Sequence, residues 1–210
     1  MAKTEKINVK TAALVKGEQV VIRGQLGFCA YLTKLLEGKA LEESVARREY
    51  ATDTPHYEGT IVNPKIALKT KGQPTDAEKV IAGRIYETKD GVPSLGIEKK
   101  VSKEGKGQIT FGVKRADGIH KVDVQGKALA TEQNVEVTYV TREYEYKGKK
   151  GLSLFLDTIV FTDGEPKFYK APQRDGWVSD DDTTSAEETA EEAPAEDAAE
   201  EAPAGGDVWD

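Results

Sequence analysis

The chain has 210 residues, with 30 Lys and Arg against 37 Asp and Glu and a formal net charge of −7. Its single cysteine, Cys29, excludes an intrachain disulfide and any metal site built on several cysteines. No stretch approaches the ~18 consecutive apolar residues of a membrane span, and no apolar run of signal-peptide length follows the first residues, so a soluble, cytoplasmic protein without a membrane partner is expected.

Taken in chain order, the β pattern dominates. Residues 19–24 (Gln-Val-Val-Ile-Arg-Gly) read as a short strand and 28–36 as a second. Residues 37–50 are the best helix candidate, because Leu41 and Val45 stand four apart and can share a face. Residues 59–69 carry Ile61, Val62, Ile66 and Leu68, and 74–79 could form one helical turn. Residues 80–87 read as strand-like through Val80, Ile81, Ile85 and Tyr86; in a strand, Arg84 and Tyr86 would share a face. In 108–114, Ile109, Phe111 and Val113 recur with period two and form a core face. Val122 and Val124 do the same within 121–125. Two long strands follow, 134–147 and 152–161, joined by the basic, glycine-punctuated turn Lys147-Gly148-Lys149-Lys150-Gly151. Several strands separated by Gly, Asp and Lys turns indicate a mainly β barrel or sandwich.

Charge divides the chain. Residues 175–210 hold 14 acids and no Lys or Arg, which leaves residues 1–174 with a net charge of +7. A basic body suggests a polyanionic partner, and an acidic tail on the same chain can compete for that surface or reach other proteins. The tail is rich in Ala, Glu, Asp, Thr and Pro, with an approximate Glu-Glu-Ala-Pro-Ala echo at 191–195 and 200–204. Such a segment cannot bury enough apolar surface to offset its ordering entropy, so disorder is expected. Its tip, Asp207-Val208-Trp209-Asp210, is unexpectedly apolar for a merely solubilising tail.

The long hairpin has two unlike faces. Val135, Val137 and Tyr139 suit a core; Val140, Arg142, Tyr144 and Tyr146 form the other row, beside Lys147, Lys149 and Lys150. Bases can stack on aromatic rings while cations hold phosphates. The tyrosines would equally serve as cross-strand pairs on a half-buried sheet. The basic turn, the charged body and the tail together favour nucleic acid. Secondary clusters are Lys65, Lys69 and Lys71, the pair Arg84 and Tyr86, and Lys99, Lys100, Lys103 and Lys106 around a Gly-containing loop.

Segment 127–161, which runs from a short turn through Val135-Glu-Val137, the Arg142- and Tyr144-bearing hairpin and the Gly-Lys turn to Phe161, resembles the C-terminal half of an OB-fold single-stranded DNA-binding protein. The acidic tail with its apolar tip resembles phage and plasmid-type members of that class, in which the tip docks on replication and repair proteins. The resemblance implies an elaborated OB-like antiparallel barrel over 1–172 and a disordered acidic tail over 173–210. It implies strand contacts at Arg142, Tyr144, Tyr146, Lys147, Lys149 and Lys150; independently of it, the clusters of Arg84 with Tyr86 and of Lys99 with Lys100 are further candidates. It implies partner docking at Asp207, Val208, Trp209 and Asp210, in a bacterial or phage-infected cell.

Catalytic signatures are lacking. His56 and His120 stand in no metal-ligand spacing, there is no Gly-x-x-x-x-Gly-Lys-Ser/Thr loop or Gly-x-Ser-x-Gly elbow, and Cys29 sits in an apolar run as a buried small hydrophobe would. The expected function is single-stranded DNA binding with little sequence preference in replication, recombination or repair, with no enzyme activity and no cofactor. Three rivals remain: a non-enzymatic phage assembly protein whose acidic tail blocks premature association, a magnesium-dependent nuclease using carboxylates such as Asp117, Asp123 or Asp157, and an RNA-binding OB protein. A homo-oligomer is compatible with the sequence.

Overall fold

A computed structural model describes residues 7–48, 52–101, 107–146 and 148–169. The acidic tail, its tip residues Asp207, Val208, Trp209 and Asp210, and the candidates Lys103, Lys106 and Lys147 lie outside the described residues. The chain is mainly β. Its elements are β1 (Gln19–Leu26), β2 (Tyr31–Leu36), α1 (Gly38–Arg47), β3 (His56–Ala67), α2 (Asp76–Ala82), β4 (Tyr86–Glu87), β5 (Pro93–Lys100), β6 (Thr110–Arg115), β7 (Gly118–Lys121), β8 (Asn134–Tyr146) and β9 (Lys149–Phe161).

The strands form one sheet in the order β4-β5-β3-β1-β8-β9-β6-β7, with β2 pairing β3. All pairs are antiparallel except β6 with β9, so the sheet is mixed, where the expected barrel was wholly antiparallel. Strands β5 and β6 are neighbours in sequence yet pair with opposite sides of the path, β5 with β3 and β6 with β9.

The core is built from alternating inward rows. Val20 and Ile22 of β1 meet Val135, Val137 and Tyr139 of β8 and Leu154, Leu156, Ile159 and Phe161 of β9, all buried. Phe111 of β6 stacks on Phe161 with ring centroids 6.4 Å apart. The inward faces expected for 108–114 and 134–147 are therefore the buried ones. In α1, Leu41 is buried but Val45 is exposed, so the helix anchors through one residue rather than two.

Two readings of the sequence need correction. Residues 80–87 are not one strand: the helix α2 runs from Asp76 through Ala82 before the two-residue β4. A capping box fixes it. Thr75 Oγ1 accepts from the Glu78 N–H at 3.2 Å, and Glu78 Oε2 accepts from the Thr75 N–H at 2.8 Å. Ala77, Val80 and Ile81 then bury one helical face, so Arg84 and Tyr86 do not stand on one strand. The second is an omitted strand: Lys99 and Lys100 are strand residues. They end β5, whose Pro93 and Gly96 mask a strand that buries only Leu95 and Ile97 as large apolar side chains.

Backbone crowding supplies a first test. Pairing of β1 with β3 shifts register between Arg23 and Gln25. There, a Cβ on Gly24 would lie 2.5 Å from Ile61 Cγ2 and 2.8 Å from the Val62 carbonyl oxygen. Gly24→Ala should cost about 1–3 kcal/mol of stability, measured by urea denaturation. Gly96→Ala, where a Cβ would meet nothing within 4 Å, should leave stability unchanged or higher.

Candidate functional site

Strand β5 crosses the sheet with two kinds of row. Leu95 and Ile97 face the core, and Lys99 continues their row past its end; Gly96, Glu98 and Lys100 belong to the other face. Opposite lies the β8–β9 hairpin, joined at Gly148, whose φ of 74° serves the tight turn between Tyr146 and Lys149. Between β5 and the hairpin is a cleft of about 410 Å³ lined by Glu98, Lys99, Lys100, Gly107, Arg142, Glu143, Leu154, Phe155 and Leu156.

The structure thus brings together three predicted candidates from two distant stretches of sequence, the neighbours Lys99 and Lys100 with Arg142. Phe155 joins them, 39% exposed despite its size. It was missed in the sequence, although the alternation of Leu154 and Leu156 inward leaves residue 155 facing out. A ring beside three cations is the combination that holds a stacked base and its phosphates.

The charges are partly prepaired. Arg142 bonds Asp157 through its NH2 group, and Glu143 accepts from Lys16 Nζ at 3.0 Å. Lys100 Nζ stands 3.9 Å from Glu98. Lys99 differs. Burial depresses its ammonium below the usual lysine range; Asp157 opposes that and Arg142 adds to it. Buried Tyr139, paired with the cleft-lining Leu156, is pushed up to about 12, first by burial, with Arg84 opposing and Glu98 adding. Arg84, exposed just after α2, does not line the cleft.

Of the predicted Arg142–Tyr144–Tyr146 row, Arg142 lines the cleft and Tyr144 does not. Tyr144 lies over Gly151, whose Cβ position is 3.0 Å from the ring, and it borders a separate hollow of about 390 Å³ with Val9, Lys10, Ala12 and Lys150. Tyr146 belongs to β8 opposite Lys149, and its side chain lies outside the described residues. Lys149 and Lys150 are exposed at the hairpin end, with Lys150 Nζ 3.6 Å from Glu145. Tyr86 is exposed and flanks β5 at Ser94, away from the cleft.

Among the described residues, no three His, Cys, Asp or Glu side chains are grouped to hold a metal ion, and no helix is long and apolar enough to cross a membrane. Cys29 is buried, and burial raises its thiol pKa.

No family model and no curated protein matches the chain. Among solved structures, it is similar to the crystal structure of gp2.5, a single-stranded DNA binding protein encoded by bacteriophage T7. That match spans 76% of this chain and 98% of the other, at 9% identity and a TM-score of 0.36.

Proposed function

We propose that this chain binds single-stranded DNA with little sequence preference, in the service of replication, recombination or repair, and that it carries no catalysis. The observation that carries the reading is the cleft in which Lys99, Lys100 and Arg142 converge beside the exposed Phe155. Its cations would take phosphates by counterion release and its ring a base by stacking. An OB-type barrel over 1–172 is the architecture we propose for the strand path. It is supported by the mainly antiparallel sheet β4-β5-β3-β1-β8-β9-β6-β7 wrapped on a single buried core. The tail over 173–210 would recruit partner proteins through Val208 and Trp209.

The direct test titrates the full-length protein into labelled dT oligomers, duplex DNA and RNA at two salt concentrations. Salt-sensitive binding that prefers the dT oligomer supports the reading. Absence of binding to all three removes it and favours the assembly protein. Preference for RNA moves the assignment to that nucleic acid.

Lys99 gives a residue-level test. Its folded-state pKa lies below the ordinary 10.5, so the folded protein binds fewer protons than the unfolded chain between those two values. Stability from this site therefore rises with pH across that window, and the burial cost is present throughout neutral pH. Lys99→Met should raise or preserve Tm, measured by calorimetry. The same change should weaken dT binding several-fold and lower the slope of log K against log salt by about 0.7, the value for one single-strand phosphate contact.

A further inference from the structure

The outer face of β5 carries a second hollow that the proposed function does not use. It measures about 490 Å³ and is lined by the rings of Phe28 and Tyr86, by Gly96 and Thr60 of the paired strands β5 and β3, and by Arg48, Glu58 and Glu98. Phe28 is 47% exposed and Tyr86 49%, a large apolar cost unless a ligand covers them. Phe28 leans on Tyr31 with centroids 6.0 Å apart, which restrains its ring.

The hollow is kept clear at Gly96 for no structural reason. Gly96 does not adopt a left-handed φ, and a Cβ there would meet nothing within 4 Å. Neither conformation nor packing demands glycine at a strand position paired with Thr60, where glycine adds conformational entropy to the unfolded chain. Glycine at such a position fits close approach by a flat ligand.

The charge of the hollow selects which part of a ligand enters. Its lone cation among the described residues, Arg48, is committed to Glu58 by two bonds of 2.7 and 3.0 Å. Glu98 carries the remaining charge of the lining, with Lys100 Nζ of the cleft 3.9 Å from its Oε1. Its Oε1 accepts from Thr52 Oγ1 at 2.8 Å, and an ionised carboxylate has about four acceptor sites, so capacity remains. A phosphate would be repelled here. A base presenting N–H donors would be held.

Resting on the strand-binding reading above, we infer that this hollow takes one nucleobase bearing an exocyclic amine, stacked between Phe28 and Tyr86 with the amine donating to Glu98. Glu98 also lines the cationic cleft, so the phosphates of the same strand stay on Lys99 and Lys100 while the base crosses β5. Cytosine, adenine and guanine carry that amine. Thymine offers a single ring N–H flanked by two carbonyls, which face a carboxylate unfavourably. The result is a preference confined to one nucleotide position on a surface otherwise indifferent to sequence.

The test uses the full-length protein and two labelled oligomers, all dT and the same length with one central dC, at one salt concentration. The dC oligomer should bind about fivefold more tightly, toward the low end of what one good base contact discriminates. Glu98→Gln should abolish the difference, since an amide can turn to accept from cytosine or donate to thymine; the readout is the ratio of the two affinities, so a general change in strand affinity from the freed Lys100 cancels. Gly96→Val should also abolish it by filling the hollow. Equal affinity of the wild-type protein for both oligomers overturns this inference and leaves strand binding standing. A dC advantage that survives both substitutions places the preference elsewhere and overturns it as well. No binding to either oligomer overturns both.

Discussion

Deleting residues 175–210 is expected to tighten binding to a dT oligomer by about tenfold at low salt, with the gain shrinking as salt rises. The deleted segment holds 14 acids and no base, while the remaining residues carry +7. Tethering keeps it at a high effective concentration beside any cationic surface of the same chain. The cleft of Lys99, Lys100 and Arg142 is such a surface, and the tail would act there as an internal competitor for phosphate sites. Screening weakens the tail and the strand alike. The distinguishing sign is therefore the difference between the two proteins, which should be largest when the Debye length is long. Fluorescence anisotropy of both proteins across a salt series measures it. Identical affinities at low salt would sink the competition model. On this model strand binding releases the tail and frees Val208 and Trp209, so a synthetic peptide of residues 196–210 should compete for the same partner proteins as the DNA-bound chain.

The sequence made the hairpin legible because its strands are long and one face is strictly apolar. Val135, Val137 and Tyr139 could only point inward, and they are buried. The 108–114 alternation worked for the same reason. Strand β5 escaped because Pro93, Gly96 and three charged residues at its end leave Leu95 and Ile97 as a two-member pattern. Losing that strand hid the cleft, since no reading along the chain could bring Lys99 and Lys100 to Arg142 without it. Helix α2 was read only in its first turn, over 74–79, and its second half was taken as strand for a different reason: Val80, Ile81 and Ile85 look β-like, but the Thr75–Glu78 capping box decides the local fold, and buried Glu78 also accepts from the Lys69 N–H at 2.8 Å. Local hydrogen bonding overrode side-chain propensity there. The grouping of Arg142 with Tyr144 failed through tertiary context, because Tyr144 covers Gly151 beside the 9–12 segment instead of facing the cleft.

Arg48→Ala should destabilise the fold by about 2 kcal/mol at neutral pH, between the costs of breaking a surface and a buried ion pair. Glu58 is buried on β3, and Arg48 bridges both of its oxygens, at 2.7 and 3.0 Å. Burial by itself pushes this carboxyl up; the Arg48 hydrogen bonds and charge, with a smaller contribution from His56, outweigh it and hold Glu58 below its ordinary 4.5. Arg48 is raised in turn, first by the same hydrogen bond. Because the folded carboxyl binds protons more weakly than the unfolded one, its contribution is complete above pH 4.5 and is lost as pH falls through the lowered folded value. Without Arg48 the burial effect is unopposed except by His56, the folded carboxyl rises, and the variant stops losing stability from this site on acidification. Urea denaturation of both proteins at pH 7 and pH 4 should therefore show a gap that is wide at pH 7 and narrower at pH 4. Glu58→Gln separates charge from packing: it removes the buried charge while keeping an acceptor for Arg48, so it should cost less than Arg48→Ala at pH 7. A gap that does not change with pH would mean that Arg48 stabilises β3 through its packed methylenes rather than through the carboxylate.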